Sequence, residues 1–214
     1  MWIIVIPAGW TNKHKGRKNP EEFFKESFSS LYNHFMSFSN VKSRGKGLFK
    51  RDDQGDYWWE LRHCDYYPEF EKEKIVWQEI VREPSFAYDN SGMYVEATAF
   101  LMTGGNLKYI IGLLNSKPVA FFFKTFYAGG GLGEDGYRYK KAFLEQLPLP
   151  PITPENQPIA DQIIQKVDQI LTLTQSKDYD TNQAKQEQVK RLEHEIDKLV
   201  YKLYGLTEEE IKII

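Results

Sequence analysis

The hydrophobic positions of this chain change period several times, and each change predicts a different element. Trp2 to Ile6 forms a short unbroken apolar run and predicts a buried strand. Asn12 to Asn19 has no apolar period and predicts a basic loop. Asn19-Pro20-Glu21-Glu22 then carries the marks of a helix start: a capping Asn, Pro in the first turn, and acids facing the positive end of the dipole. Phe23, Phe24, Phe28, Leu31, Tyr32 and Phe35 follow at near-helical spacing and would form its buried face. The glycine-rich, basic stretch at 41–51 again lacks a period and predicts an exposed, mobile loop.

From residue 74 the period shortens. KIVWQEIV (74–81) predicts a strand, and 86–105 predicts strand, turn and strand, with Asp89-Asn90-Ser91-Gly92 supplying the turn chemistry. Residues 107–126 are largely apolar at helical spacing, with a break expected at Asn115 to Pro118, because Pro118 has no N–H to donate. Residues 147–158 contain five prolines in twelve positions and predict a stiff, extended connector. Beyond it, Ile159, Ile163, Val167, Ile170 and Leu171 line one helix. Val189, Leu192, Ile196, Leu199 and Leu203 line a second at alternating spacings of three and four, and the polar link between them makes a helical hairpin. Gly205 stops the second helix, and Thr207 to Glu210 is a capping box that opens a last short one. The pattern predicts an α/β protein of the α+β type: a mostly antiparallel sheet with packed helices over residues 1–150, then the hairpin at 151–214 as a spacer or docking region.

Composition supports a globular chain. Of its 214 residues 41% are hydrophobic and 15% aromatic, and the mean hydropathy is −0.56. The single cysteine, Cys64, and four histidines exclude an internal disulfide and a cysteine-based zinc site. No segment approaches the ~20 apolar residues of a membrane helix, and no signal segment is evident, so a cytoplasmic protein without a membrane partner is expected. The net charge of −2 conceals a strong asymmetry. Residues 1–51 carry ten Lys and Arg against three Asp and Glu, residues 52–104 four against twelve, residues 105–150 six against three, and residues 151–214 eight against twelve.

Catalytic motifs are missing from the sequence. Gly131-x-Gly133-x-x-Gly136 has dinucleotide-loop spacing, but it follows an apolar helix instead of a strand, and Gly136 precedes Tyr137 where a Walker loop needs Lys. Asn-Pro-Pro-Tyr, H-E-x-x-H and G-x-S-x-G do not occur, and the only acid-x-Lys, Glu210-Ile211-Lys212, lies on the last helix. Glu60, Asp65, Glu69 and Glu71 are expected to be a solvated acidic run, and His63 beside Cys64 to be structural. The chain is not expected to break bonds by itself.

What remains is a set of glycine-rich basic loops interleaved with aromatics, the combination that anion binding needs: backbone N–H groups that can approach closely and cations that neutralise charge. The first candidates for nucleic-acid contact are Arg138, Tyr139, Lys140 and Lys141, with Gly129, Gly130 and Gly131 permitting close approach. Arg44, Lys46, Lys50 and Arg51 form a second region, and Lys13, Lys15 and Arg17 a third. Trp58 and Trp59 could stack or wedge against a nucleic acid, although core packing of at least one is the expectation.

Four stretches also carry a resemblance: RDDQGDYWWELRHCDYYPEFEKEKIVWQEI (51–80), YIIGLLNSKPVAFFFK (109–124), GYRYKKAFLEQLPLPPI (136–152) and IDKLVYKLYGLTEEEIKII (196–214). Together and in this order they resemble the TaqI-like C-terminal specificity domain, the target recognition domain of type IIG restriction-modification enzymes and related adenine-specific DNA methyltransferases. The resemblance implies sequence-specific binding of double-stranded DNA. It also implies a methyltransferase catalytic domain, N-terminal in the same parent chain or in a separate subunit, holding S-adenosylmethionine, with Mg as an option where the parent also cleaves DNA. This chain, without that half, would be an excised or stand-alone recognition domain with no cofactor of its own. The Leu-Pro-Leu-Pro-Pro element at 147–151 and the helices after it resemble the exit into a helical spacer. A protein–protein interaction module docking through the C-terminal hairpin is the alternative.

Overall fold

A computed structural model describes residues 3–39, 47–127 and 136–214. They fall into two compact units, Met1–Glu69 and Phe70–Ile214.

In the first unit, helices α1 (Trp10–His14), α2 (Pro20–Ser27), α3 (Ser29–Ser37) and α4 (Gly47–Lys50) surround a small aromatic core of Ile6, Phe24 and Trp59. Asn19 caps α2 as expected, its side chain accepting from the N–H groups of Glu21 and Glu22. The helix expected to continue through Phe35 breaks at Phe28, inside a Ser-rich run of low helix propensity, and leaves that ring partly exposed. The predicted strand at the N-terminus is corrected: residues 3–6 are irregular, Ile3 and Ile4 are exposed, and Ile6 alone is buried. A strand needs a partner edge, and this segment gains one such bond, from the N–H of Leu61 to the carbonyl of Ile6 at 2.8 Å. The basic stretch expected as a loop from residue 12 is partly helical, since α1 runs to His14.

The unit is closed by Glu60. Its fully buried carboxylate accepts from the N–H groups of Gly9 (3.1 Å), Thr11 (2.8 Å) and Asp56 (3.0 Å), while Trp59 Nε1 donates to Thr11 Oγ1 at 2.9 Å. The acidic run therefore begins with a structural carboxylate and not a solvated one.

The second unit holds the antiparallel sheet. Its strands β1 (Lys74–Gln78), β3 (Ala87–Asp89) and β4 (Ala99–Thr103) lie in the order β3-β1-β4, with Ile75 opposite both Tyr88 and Met102. β2 (Ile80–Val81) pairs instead with β5 (Tyr137–Arg138), so the strand predicted over 74–81 is interrupted at Glu79. Helices α5 (Leu107–Leu114) and α6 (Lys117–Phe126) break where expected, with Pro118 in the first turn of α6, where a missing N–H costs nothing. After the short α7 (Lys141–Leu144) and the proline run come α8 (Gln157–Thr174), α9 (Gln183–Tyr204) and α10 (Glu208–Ile211). Gly205 is left-handed at φ 66°, and Thr207 and Glu210 form the predicted capping box.

One continuous core joins sheet and hairpin: Ile75 and Trp77 from β1, Leu113 and Leu114 from α5, Phe123 from α6, Ile163 and Val167 from α8, and Ile196, Leu199 and Val200 from α9. Asp197 of α9 reaches across to α6, where its carboxylate accepts from the Lys117 N–H at 2.8 Å. The fold is of the α+β class, with a small antiparallel sheet and a helical C-terminal region. The boundary near residue 150 separates an expected reader from an expected spacer, whereas the packing units meet at residue 69.

Candidate nucleic-acid interface

The leading basic segment is built on the β2–β5 ribbon. Gly136 enters it at φ 120°, so close to β2 that a Cβ there would lie 2.7 Å from the Val81 carbonyl oxygen. That close approach explains the third glycine of the spurious dinucleotide spacing as a packing requirement. The next residues alternate. Tyr137 and Tyr139 occupy one parity and Arg138 and Lys140 the other, which places the two cations on one side of the segment.

Tyr139 anchors the alternation. It is a core side chain, 2% exposed, stacked on Phe123 at 4.2 Å between centroids and edge-on to Phe86 at 5.7 Å. Its N–H donates to the Glu79 carbonyl at 2.7 Å, and its own carbonyl accepts from Trp77 Nε1 at 2.8 Å. Burial pushes the phenol far above its ordinary range, and among the described residues the hydroxyl meets no hydrogen-bond partner. Of the four residues expected at this site, Tyr139 is thus the clamp, not a contact.

Arg138 and Lys140 share one carboxylate oxygen. Arg138 Nη1 lies 3.3 Å and Lys140 Nζ 3.8 Å from Glu79 Oε1. Lys141, at the start of α7, is exposed and pairs with Glu145 at 3.4 Å. Lys124 of α6 joins the same ribbon, 2.6 Å from Glu83 and with its ammonium 5.2 Å from the Tyr137 ring centroid. Gly129, Gly130 and Gly131 lie outside the described residues.

The sequence pattern missed Glu79, Glu83 and Lys124. A signal for Glu79 was present: in an uninterrupted strand it would share the inward face with Ile75, Trp77 and Val81, and an acid at such a position marks a break in the strand.

The other basic candidates lie in the first unit. Lys50 is exposed at the end of α4, but Arg51 turns inward, its guanidinium donating to the carbonyls of Trp58 and Glu60 and standing 4.0 Å from Asp53. Arg44 and Lys46 lie outside the described residues. Lys13 on α1 and Arg17 beyond it are exposed, and Lys15 is half-buried. Trp59 is in the core, stacked between Phe24 and Tyr57 at 5.0 Å from each, and Trp58 meets Phe49, Tyr32 and Phe35.

His63 Nε2 meets Asp56 Oδ1 at 3.1 Å on the surface, without a nucleophile in the pair. Among the described residues no group of three or more His, Cys, Asp or Glu could hold a metal ion, and no helix is long and apolar enough to cross a membrane. The apolar seam of α9 is spent internally, since Val189, Leu192, Ile196 and Leu199 are buried within the unit.

No curated protein matches the chain. A family model does match, over residues 18–149, which is more than half of the sequence and includes the sheet, the β2–β5 ribbon and α5 to α7. The chain belongs to the TaqI-like C-terminal specificity domain family, whose members are DNA-recognition specificity domains of restriction-modification enzymes.

Proposed function

We propose that this chain binds duplex DNA, reads a short sequence, and positions an adenine-specific methyltransferase over it, with or without an accompanying nuclease. The observation that carries this reading is the pair Arg138 and Lys140, held side by side on a ribbon whose intervening residue, Tyr139, is locked in the core. A rigid backbone that presents two cations at strand spacing suits phosphate and base-edge contact, because little side-chain order remains to be imposed on binding. S-adenosylmethionine belongs, in this proposal, to the catalytic partner, whether that is an N-terminal domain of the same parent chain or a separate subunit. Lys141, Lys50, Lys13, Lys15 and Arg17 would add sequence-independent contacts.

Selection of the chain against a randomised duplex pool, with retention followed as salt is raised, tests the reading. Enrichment of a short motif with a steep loss of retention is the expected result. Replacing Lys140 and Lys141 together with Ala should weaken binding to all sequences and lower the log–log salt slope by roughly one for each phosphate no longer neutralised. Arg138→Ala should cost about 1–3 kcal/mol on the enriched motif and much less on scrambled duplex, as a base contact does. Unchanged binding in both variants would remove the ribbon from the interface.

The reading of the chain as a protein-docking module has one observation in its favour. Pro118, Phe122, Leu147, Tyr204 and Ile213 line an apolar groove of about 330 Å³ where α6 meets the end of α9. Light scattering with and without a candidate catalytic subunit would show whether the chain associates, and a charged substitution at Phe122 would abolish that association if the groove is the docking surface.

A further inference from the structure

Glu79 occupies a place that neither the sheet nor the core requires an acid to fill. Its backbone interrupts the strand, its N–H donates to the Thr98 carbonyl at 3.2 Å, and its carbonyl holds Tyr139. These bonds are backbone bonds, which any residue could make. The side chain alone is left to explain. It is 20% exposed, and one of its two oxygens, Oε1, faces both Arg138, 42% exposed, and Lys140, 45% exposed.

We propose that Glu79 is a positioning residue for DNA binding, an internal counter-anion that holds Arg138 and Lys140 side by side and restrains their attraction to any phosphate backbone. The inference rests on the DNA-binding reading of this ribbon and goes beyond it by assigning a role to an acid. Two cations that converge on one oxygen would repel each other and splay into solvent if the carboxylate were removed. With it in place they are pre-arranged but partly neutralised. A phosphate must then compete with a resident anion, and it does so beside a negative charge that repels it. Such an arrangement weakens sequence-independent binding everywhere, and only a site that adds base-edge contacts recovers the loss, which makes Glu79 a device acting against the wrong partner. The neighbouring pair repeats the pattern more weakly: Lys124 meets Glu83, but Glu83 is 76% exposed and its charge is better screened.

The experiment compares the chain with its Glu79→Gln, Glu79→Asp and Glu83→Gln variants, using a labelled random-sequence duplex as the probe and titrating salt. Glu79→Gln should bind the random duplex about three- to tenfold more tightly, with a log–log salt slope steeper by about one. Glu79→Asp keeps the charge and should hold the original slope, and Glu83→Gln should move affinity less than Glu79→Gln. A variant Glu79→Gln that binds as before, or less tightly, overturns the proposal. So does a gain that Glu79→Asp reproduces, since that would report altered packing and not charge. If the unaltered chain shows no retention of duplex at low salt, the DNA-binding reading itself fails and the inference falls with it. If the unaltered chain binds while Glu79→Gln leaves affinity and slope unmoved, the inference alone fails.

Discussion

Asp89 shows how much one side chain can organise. It sits opposite Lys74 across β1 and β3, and its carboxylate accepts from the ammonium of Lys74, the N–H (3.1 Å) and hydroxyl (2.6 Å) of Ser91, and the N–H of Met93 (3.0 Å). Lys74 is fully buried and also donates to the Phe70 carbonyl at 2.6 Å. Burial works against the charged form of Asp89, but the hydrogen bonds from Lys74, Ser91 and Met93 outweigh it and lower the carboxyl to about 2 from 3.8. A carboxyl lowered in the folded state stabilises the fold above its unfolded value and loses that contribution as pH falls. Asp89→Ala, which strands a buried ammonium, should therefore cost about 3–5 kcal/mol at neutral pH. In urea titrations at several pH values, its deficit relative to the unaltered chain should narrow as pH falls from about 4 toward 2. A constant deficit across that window would mean that the charge of Asp89 is not what stabilises the turn. The bend was legible, because Asp89-Asn90-Ser91-Gly92 encodes it within four residues and Gly92 takes a left-handed φ of 74°, but it does not close the expected hairpin: β3 and β4 each pair with β1 and not with one another. The partner Lys74 was not legible, since nothing local in the sequence ties it to a residue fifteen positions away. Tyr139 was misjudged for the same reason: its basic neighbours suggest a surface, and only the arrival of Phe123 and Phe86 makes it core.

At the scale of elements, the close approach of α5 and α8 depends on Gly112. A Cβ on Gly112 would lie 2.6 Å from Ile163 Cγ2 and 3.2 Å from Val167 Cγ2. Both neighbours are β-branched and buried, so their methyl groups have one favoured rotamer in the helix and no space to rotate into. Gly112→Ala gains about 1 kcal/mol of helix propensity and loses about 1–3 kcal/mol to overpacking. The balance should be a loss, seen as a lower urea midpoint, and Gly112→Val should lose more, because valine adds bulk with a smaller gain in propensity. A stabilised alanine variant would show that the two helices can separate without cost. The helices themselves were legible where their signals are local: the Asn19 cap, the break before Pro118, the Gly205 stop, the Thr207–Glu210 box and the two apolar stripes of the hairpin. The strands were legible only in part. Apolar composition found β1, β3 and β4, but β5 has two residues, β2 leaves the sheet at Glu79, and the apolar N-terminal run found no edge to join. Pairing is decided by the partner strand, and a single segment does not carry that information.

For the whole molecule, the proline run at 147–158 suggested a hairpin appended to a finished domain. The packing shows a hairpin that completes one. Ile163, Val167, Ile196, Leu199 and Val200 are buried against α5, α6 and the sheet, and Gly112 is small so that α8 can come close. Five such side chains, at about 1.5–3 kcal/mol each for full burial, amount to as much as the entire stability of an ordinary domain, about 5–15 kcal/mol. The rest of the unit could not lose them and stay folded. A chain ending after Pro151 should accordingly lose the cooperative urea transition of the Phe70–Ile214 unit and the near-ultraviolet signal of Trp77, whose ring stacks on Phe100 and lies against Phe86. The Met1–Glu69 unit has its own aromatic core and its own buried carboxylate, and limited proteolysis of the shortened chain should leave it protected. In the proposed reading the hairpin would support DNA binding through the fold, because Phe123 and the core beneath hold Tyr139 between Arg138 and Lys140. A shortened chain that keeps the Trp77 signal and the urea transition of the Phe70–Ile214 unit at an unchanged midpoint would instead make the hairpin an independent arm, and the apolar seam of α9 would have to be covered by something else.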